Sequence, residues 1–288
     1  MVRIQVAPAK INLTLEVLAR RDDGYHGIRT VMVPLALADE LAIEPASAFS
    51  FECDRGDLSD ERNLAVRAVR ALEVDPKVTL RLRKCIPSEA GLGGGSSDAA
   101  AVLRAAMEGA FGPVARRDWI AVARSLGSDV PFFLAGTGAL VEGTGERVTP
   151  IGVLPRWHVL VVKPPASVST ATAYAELDKR ERTVRPRRES ISIRMVEALQ
   201  RADFDAVEAL VQNDFQETIA QLVPEVRATF DALREAGAGN ALLAGSGSCV
   251  VTIATDAERI ARIERGLALD DGYRRFSTEF AATPAWRS

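Results

Sequence analysis

The sequence predicts an α+β protein of two domains, and three observations support this. Segments with strand and helix periodicity occur in both halves without regular alternation, which favours α+β packing over a doubly wound sheet. The chain has 288 residues, enough for two ordinary domains. A proline-rich segment, PIGVLP at 150–155, interrupts it near the middle. We therefore expect an N-terminal domain over residues 1–153 and a C-terminal domain over residues 154–288.

The N-terminal half is predicted to contain both strands and helices. Residues 2–18 alternate roughly with period two and are rich in Val, Ile and Leu, which predicts early strands with Pro8 at a bend. Further strands are expected over 31–41, 42–52 and 78–83, the last because VTLRLR alternates. Apolar spacing predicts helices over 63–73 and 119–126, and an alanine-rich helix that begins near Ser96.

The C-terminal half repeats this mixture. A strand is expected over 157–162, and helices over 170–179, 202–222, 226–236 and 256–269. Residues 241–244 and 249–254 flank a Gly-Ser-Gly turn. The charged run KRERTVRPRR at 179–188 is interpreted as a solvated loop. Nucleic-acid binding is the less favoured alternative, because no aromatic residues interleave with these charges.

Composition excludes several classes of protein. Thirty-six Lys and Arg against 39 Asp and Glu give a net charge of −3, which leaves no electrostatic footprint for nucleic acid or an anionic membrane. Cys53, Cys85 and Cys249 form no C-x-x-C pair, which indicates reduced thiols and a cytoplasmic protein. The chain has only two histidines, His26 and His158, and no spacing of its cysteines and histidines resembles a metal site.

Two features argue against a membrane segment. Charged and polar residues interrupt the N-terminal apolar residues, so no signal-peptide core is present. The longest uncharged stretch, 236–255, contains four glycines and several polar residues. We interpret it as a loop between two elements rather than a membrane helix.

A glycine-rich loop at residues 91–97, GLGGGSS, precedes the alanine-rich helix. Consecutive glycines let a ligand approach backbone N–H groups, and the helix behind them presents the positive end of its dipole. The loop is therefore predicted to bind a polyphosphate. It is neither a Walker A motif nor a Rossmann fingerprint, and the protein-kinase motifs are missing. A hinge or a helix-packing turn is the alternative.

Five segments together resemble the GHMP kinase superfamily, named for galactokinase, homoserine, mevalonate and phosphomevalonate kinases. Residues 86–100, IPSEAGLGGGSSDAA, resemble its ATP loop, and 243–250, LAGSGSCV, its C-terminal glycine motif. Residues 7–13 (APAKINL) with 20–26 (RRDDGYH), and 126–134 (LGSDVPFFL), are similar to the 4-diphosphocytidyl-2-C-methylerythritol kinases within it. These segments extend over nearly the whole chain.

The resemblance implies a two-domain GHMP kinase fold with the active site in the interdomain cleft. It also implies ATP-dependent phosphorylation of the 2-hydroxyl of 4-diphosphocytidyl-2-C-methyl-D-erythritol, in the non-mevalonate isoprenoid pathway. A GHMP kinase for another alcohol, such as homoserine or mevalonate, is the first alternative. A catalytically silent nucleotide-binding protein is the second. The expected partner is a small molecule, without nucleic acid or membrane, and the chain is expected to be a monomer or a homodimer.

Asp129 is the best candidate for a base that accepts the acceptor hydroxyl's proton. A partly buried carboxylate stays protonated unless it is paired, and the resemblance implies that Lys10 supplies this pairing. Asn12 lies two residues beyond Lys10, so a strand places both on one face, and Asn12 is expected to support the acceptor site. The alternatives are a helix-capping role for Asp129 and a snorkelling strand lysine for Lys10.

The ATP phosphates are expected at the glycine loop, and Mg²⁺ is expected to bind through the phosphates. Asn63 and Lys84 resemble adenine-side contacts, although a helix-start residue and a surface strand residue are the competing interpretations. The residues assigned to the nucleotide are Asn63, Lys84, Pro87, Ser88, Glu89, Ala90, Gly91, Leu92, Gly93, Gly94, Gly95, Ser96 and Ser97.

The acceptor side implied by the resemblance must hold a cytosine, through stacking and edge hydrogen bonds. Tyr25 and Tyr174 are predicted to sandwich the base, and His26 to bond its edge. Thr170 is assigned to the same side. Gly245 and Ser246 are assigned there too, in a turn that is expected to close over the phosphates. Ordinary packing for Tyr174 and a tight hairpin without ligand contact for the turn are the alternatives.

Overall fold

A computed structural model describes residues 1–22, 24, 26–179 and 190–281 of the chain. The fold is α+β, as predicted. The strands are β1 Arg3–Arg20, β2 His26–Pro45, β3 Ser50–Cys53, β4 Val78–Arg83, β5 Ala139–Gly143, β6 Arg147–Pro150, β7 His158–Lys163, β8 Gln212–Asn213, β9 Leu242–Leu243, β10 Val250–Ala254 and β11 Arg274–Glu279. The helices are α1 Leu64–Arg70, α2 Gly94–Met107, α3 Trp119–Leu126, α4 Val130–Ala135, α5 Thr170–Asp178, α6 Ile191–Gln200, α7 Phe204–Leu210, α8 Gln216–Leu222, α9 Pro224–Glu235 and α10 Ala257–Gly266.

The strands form two sheets. The first runs in the order β3-β4-β2-β1-β8, and β5 and β6 extend it beside β2. The second runs β11-β7-β10-β9 and is antiparallel throughout. All strands of the first sheet except β8 precede residue 151, and all strands of the second follow residue 157. The domain division at 153–154 stays a prediction, since β8 from the second half pairs with β1.

A register shift in the long β1–β2 hairpin directs the side chains of β1. The pairing of β1 with β2 shifts between Pro8 and Lys10, where the prolyl residue lacks an N–H. Before the shift Ala7 packs with the helices α1–α4, whereas after it Ile11 and Leu13 pack between the two sheets. Because neighbouring side chains of a strand alternate, Lys10 is turned to the side of α2 and α4.

Three apolar clusters hold these layers together. One lies between the first sheet and helices α1–α4, and a second lies between the two sheets. The third lies between the second sheet and the C-terminal helices. Among the described residues the longest helix, α2, has 14 residues, and none is long and apolar enough to cross a membrane.

Several elements differ from the sequence-based expectations. Residues 42–45 continue β2 rather than starting a new strand, and the chain turns only after Pro45. The helix expected over 202–222 is divided into α7, β8 and α8, because Asn213 turns its side chain to two backbone carbonyls of the second half. The charged run at 179–188 lies, after Lys179, outside the described residues.

Candidate active site

A cleft of about 1500 Å³ collects residues of both halves. Of the predicted site residues, it is lined by Lys10, Asn12, His26, Asn63, Lys84, Pro87, Ser88, Glu89, Ala90, Gly91, Leu92, Gly93, Gly94, Gly95, Ser96, Asp129, Thr170, Tyr174, Gly245 and Ser246. Ser97 is not in this lining, and it is fully buried. Tyr25 lies outside the described residues.

Lys10 and Asp129 meet at the floor of this cleft. The Lys10 Nζ lies 3.5 Å from the Asp129 Oδ2, and Lys10 is only 4% exposed. The same ammonium donates to Asn12 Oδ1 at 2.8 Å, while the Asn12 amide donates to Thr30 Oγ1. A snorkelling lysine does not fit this burial. Asn12 thus holds the Lys10 ammonium on one side, and the Asp129 carboxylate lies on its other side.

Asp129 stands where a capping residue would stand, but it does not cap. It is the N-cap residue of the short helix α4, and its side chain makes no capping hydrogen bond. Because Pro131 occupies the first turn, one of the N–H groups that a cap would satisfy is missing. The side chain is 25% exposed, so its oxygens are accessible from the cleft.

The glycine loop presents the start of α2 to the cleft. Gly91 and Gly93 have φ angles of +74° and +72°, which L side chains rarely adopt. Gly93 is the N-cap of α2 and supplies no side-chain hydrogen bond, so the first-turn N–H groups lack a side-chain cap. The backbone N–H of Lys10 donates to Leu92 O and ties the loop to β1. The helix begins at Gly94, two residues before the expected start.

A second glycine turn, residues 245–248, lies directly against this loop. Gly245 and Gly247 have φ angles of +53° and +91°. A Cβ placed on Gly91 would lie 1.8 Å from Ala244 O, so the two loops touch backbone to backbone. The amide of Asn213 holds the turn by donating to the carbonyls of Leu243 and Gly245. The turn is therefore more than a free hairpin, since it packs on the loop of the other half.

The two residues assigned to adenine differ from each other in environment. Asn63 caps α1 by accepting from Ala65 N at 2.9 Å, and its amide donates to Leu58 O. The helix-start interpretation of Asn63 therefore describes its local role. Lys84 is no surface strand residue, because its side chain is 5% exposed and its ammonium contacts two carboxylates. Contact of either residue with adenine stays a prediction.

Those two carboxylates belong to Asp39 and Asp98, which the sequence did not single out. Burial raises the pKa of Asp98 to about 7, because Lys84 offsets only part of the cost and Asp39 adds repulsion. Burial lowers the pKa of Lys84, but the two carboxylates outweigh burial and the net shift is upward. The Lys84 Nζ lies 2.6 Å from Asp98 Oδ2. The cluster lies directly under the glycine loop.

His26 and Tyr174, both predicted to lie on the acceptor side, stack on each other in the lining of the cleft. Their ring centroids are 5.6 Å apart with an interplanar angle of 16°. The His26 Nδ1 lies 3.0 Å from Leu18 O, and its Nε2 lies 2.9 Å from Asp178 Oδ1. Asp178 was missed, although its position four residues after Tyr174 on a predicted helix was the signal that could have found it. Thr170 and Ser246 share a hydroxyl contact of 3.1 Å nearby.

Two family matches cover parts of both halves. Residues 63–137 match the GHMP kinases N terminal domain, and residues 195–270 match GHMP kinases C terminal. A crystal structure of homoserine kinase from Cytophaga hutchinsonii has a TM-score of 0.70 at 17% identity, covering 98% of this chain and 95% of that one. That identity supports the fold alone. The fold, the cleft and the domain matches define the class of protein as a GHMP kinase, which was the predicted class.

Relatives of higher sequence identity show to which family within this class the chain belongs. The 4-diphosphocytidyl-2-C-methyl-D-erythritol kinase of Deinococcus radiodurans is 42% identical over 269 residues, which cover 91% of this chain and 87% of the relative. The kinase of the same name from Chlorobium luteolum is 40% identical, with 90% and 92% covered. A crystal structure of 4-(cytidine 5'-diphospho)-2C-methyl-D-erythritol kinase has a TM-score of 0.78 at 36% identity, covering 98% and 100%. The chain belongs to the 4-diphosphocytidyl-2-C-methyl-D-erythritol kinase family.

Proposed function

We propose that this chain transfers the γ-phosphoryl group of ATP to the 2-hydroxyl of 4-diphosphocytidyl-2-C-methyl-D-erythritol, a step in non-mevalonate isoprenoid precursor synthesis. One observation carries the chemistry: the Lys10–Asp129 pair lies in a cleft that two glycine turns also line. Family membership favours this acceptor over homoserine or mevalonate, since the homoserine kinase neighbour is only 17% identical.

Asp129 is proposed as the base of the transfer. The acceptor oxygen forms a bond to the γ-phosphorus, the bond from phosphorus to the bridging oxygen breaks, and ADP leaves. The hydroxyl proton passes to the Asp129 carboxylate, a contribution that typically accelerates such reactions by about 10² to 10⁴. Lys10 is proposed to orient this carboxylate, because its ammonium lies 3.5 Å from the Asp129 Oδ2 and attracts it. Asn12 holds the ammonium in place through its own bond to Thr30.

The phosphates of ATP are proposed to bind along residues 87–97. The left-handed glycines bring backbone close to the ligand, and the start of α2 offers N–H groups and a favourable dipole. Among the described residues no three His, Cys, Asp or Glu side chains are grouped as a metal site. Mg²⁺ is proposed to bind through phosphate oxygens and water, as it commonly does in kinase sites. Bound there, Mg²⁺ would neutralise charge that develops on the phosphate oxygens.

The cytosine is proposed to bind at the His26–Tyr174 stack. A base stacked between two rings needs two stacking distances of about 3.4 Å each, so the rings would have to lie about 6.8 Å apart. The ring centroids of His26 and Tyr174 are only 5.6 Å apart. The base would therefore stack on an outer face of the pair, with Tyr25 as the proposed opposite wall. Thr170, Gly245 and Ser246 are proposed to complete the acceptor side.

The domain and cellular assignments follow as proposals. Residues 1–153 would supply the catalytic pair and the ATP loop, and residues 154–288 would supply Tyr174 and the glycine turn that closes the cleft. Cys53, Cys85 and Cys249 are free thiols, which supports a reducing cytoplasmic location. A monomer or a homodimer is the proposed state.

The test is ADP release by the purified chain with Mg²⁺ and ATP, with the cytidyl substrate, mevalonate and homoserine supplied in parallel. Turnover with the cytidyl substrate alone is the expected result. Turnover with another acceptor would retain the catalytic pair but reject the cytosine site. ATP binding without turnover on any acceptor would favour a catalytically silent scaffold.

A further inference from the structure

Three charged side chains, Asp39, Lys84 and Asp98, form a buried cluster beneath the glycine loop. Asp39 and Asp98 are each 1% exposed, and the Lys84 side chain is 5% exposed. The Lys84 ammonium contacts Asp39 Oδ2 directly and Asp98 Oδ2 at 2.6 Å. The proposed transfer step and the proposed cytosine site use none of these groups, and of the three only Lys84 is predicted to contact the nucleotide, at the adenine. We call the three residues the ionic clamp.

The ionic clamp ties both ends of the loop to the first sheet. Asp39 lies on β2, and its Oδ1 accepts the backbone N–H groups of Cys85 and Ile86 where the chain enters the loop. Asp98 lies in α2, where the chain leaves the loop. A Cβ on Gly94 would lie 3.3 Å from the Lys84 Nζ, so the ammonium lies against the first residue of α2.

A buried charge cluster of this kind is weak evidence for stability, because desolvation offsets most of the attraction between its charges. The role of the ionic clamp must therefore lie in where its charges are placed rather than in the stability that they add. Its place at both ends of a loop of backbone N–H groups points to the phosphates as the ligand that is affected.

We propose that the ionic clamp positions the ATP loop, and that Asp98 is the member that takes up and releases a proton, so that ATP binding weakens when Asp98 ionises. The proposal rests on the proposed function, since it assumes that residues 87–97 bind ATP. With Asp98 protonated, Asp39 and Lys84 balance each other. With Asp98 ionised, an extra negative charge lies beneath the phosphate site and repels the nucleotide.

The hydrogen bonds assign the proton to Asp98 rather than to Asp39. Asp39 accepts from two backbone N–H groups at Oδ1 and from Lys84 at Oδ2, so both of its oxygens already accept hydrogen bonds. Asp98 Oδ1 is buried and has no hydrogen-bond partner among the described residues. Burial accordingly raises the pKa of Asp98 to about 7. Two further titratable groups lie near the ionic clamp at the end of β3. Burial raises the pKa of the Cys53 thiol, and the Asp54 carboxylate accepts a hydrogen bond from the Lys84 backbone N–H.

The test compares wild type with Asp98→Asn from about pH 6 to about pH 8.5, a range centred near the raised pKa. The KM for ATP of wild type, divided by that of the variant, is expected to rise about fivefold over this range. The ratio cancels the pH effects that wild type and variant share, including the titration of ATP itself. The KM for the acceptor is expected to show no such trend. Asp271→Asn, at an exposed aspartate of the second half, is the matched control and should behave as wild type.

A second variant guards against a purely structural effect. Asp39→Asn removes the charge that repels the ionised form of Asp98, so the rise in KM for ATP should move to lower pH. Parallel pH profiles for wild type and Asp98→Asn would overturn the proposal, as would an unmoved rise in Asp39→Asn. If wild type shows no ATP-dependent turnover at any pH, the proposed function fails instead, and the two failures are thereby distinguished.

Discussion

Replacing Gly91 by alanine should separate the two glycine turns and reduce activity strongly. Gly91 has a φ of +74°, and a Cβ placed there would lie 1.8 Å from Ala244 O. The neighbour is backbone of the other half of the chain, so it has no flexible side-chain end that could move aside. Alanine at this position therefore requires the two turns to move apart.

The size of this movement sets the expected loss of activity. To open the 1.8 Å approach to 3.0 Å, below which real Cβ contacts essentially never fall, the turns must separate by about 1.2 Å. A displacement of about 1 Å near the reacting groups typically costs about 10²-fold in rate. We therefore expect kcat/KM of Gly91→Ala to fall about 100-fold. The left-handed φ adds a folding cost of about 1–2 kcal/mol.

Gly109→Ala is the matched control for this strain. Gly109 has a φ of +77°, but a Cβ there would meet nothing within 4 Å. The Tm of Gly109→Ala should fall by roughly 2–8 °C, because the strain costs about 1–2 kcal/mol and each kcal/mol lowers Tm by about 2–4 °C. Its kcat/KM should stay within about twofold of wild type. The assays are thermal denaturation and steady-state kinetics on both variants. A Gly91→Ala variant that matched Gly109→Ala in both would refute the backbone contact.

Three further predictions concern other parts of the molecule. Tyr174→Ala should raise the acceptor KM about tenfold without changing the ATP KM, because a stacked base is worth about 1–3 kcal/mol; Tyr174→Phe should keep the acceptor KM, and equal effects of both would contradict stacking. The pKa of Asp98 rises on folding from 3.8 to about 7, so wild type should lose stability as the pH rises through this window. The fall in Tm between about pH 5 and about pH 7 should be smaller in Asp98→Asn, and equal falls would contradict the shift. Burial raises the pKa of the Cys249 thiol to about 12, so a thiol reagent should modify Cys53 and Cys85 in the folded chain but Cys249 only after unfolding, as counted by mass spectrometry.

Local periodicity predicted the elements that depend on local sequence. The helix expected over 119–126 matches α3 residue for residue, because Asp118 caps it and Gly127 ends it. The period of two placed Lys10 and Asn12 on one face of β1, where their side chains bond to each other. The glycine spacing likewise located a loop that precedes a long helix.

Features that depend on long-range contacts could not be predicted in this way. Asp39 and Lys84 are 45 residues apart and Asp98 is 14 residues further on, and no local pattern pairs such charges. The division of the expected 202–222 helix depends on Asn213, whose partners lie 30 and 32 residues away. The backbone contact of Gly91 with Ala244 likewise exists only in the folded chain.

The most direct test of the proposed mechanism is kcat of Asp129→Asn at saturating ATP and cytidyl substrate. Asparagine keeps the shape of the side chain but cannot accept the proton as a carboxylate does. If Asp129 is the base, kcat should fall by about 10² to 10⁴, while both KM values stay within a few-fold of wild type. A variant whose kcat remained close to that of wild type would contradict the assignment of Asp129 and of its pairing with Lys10.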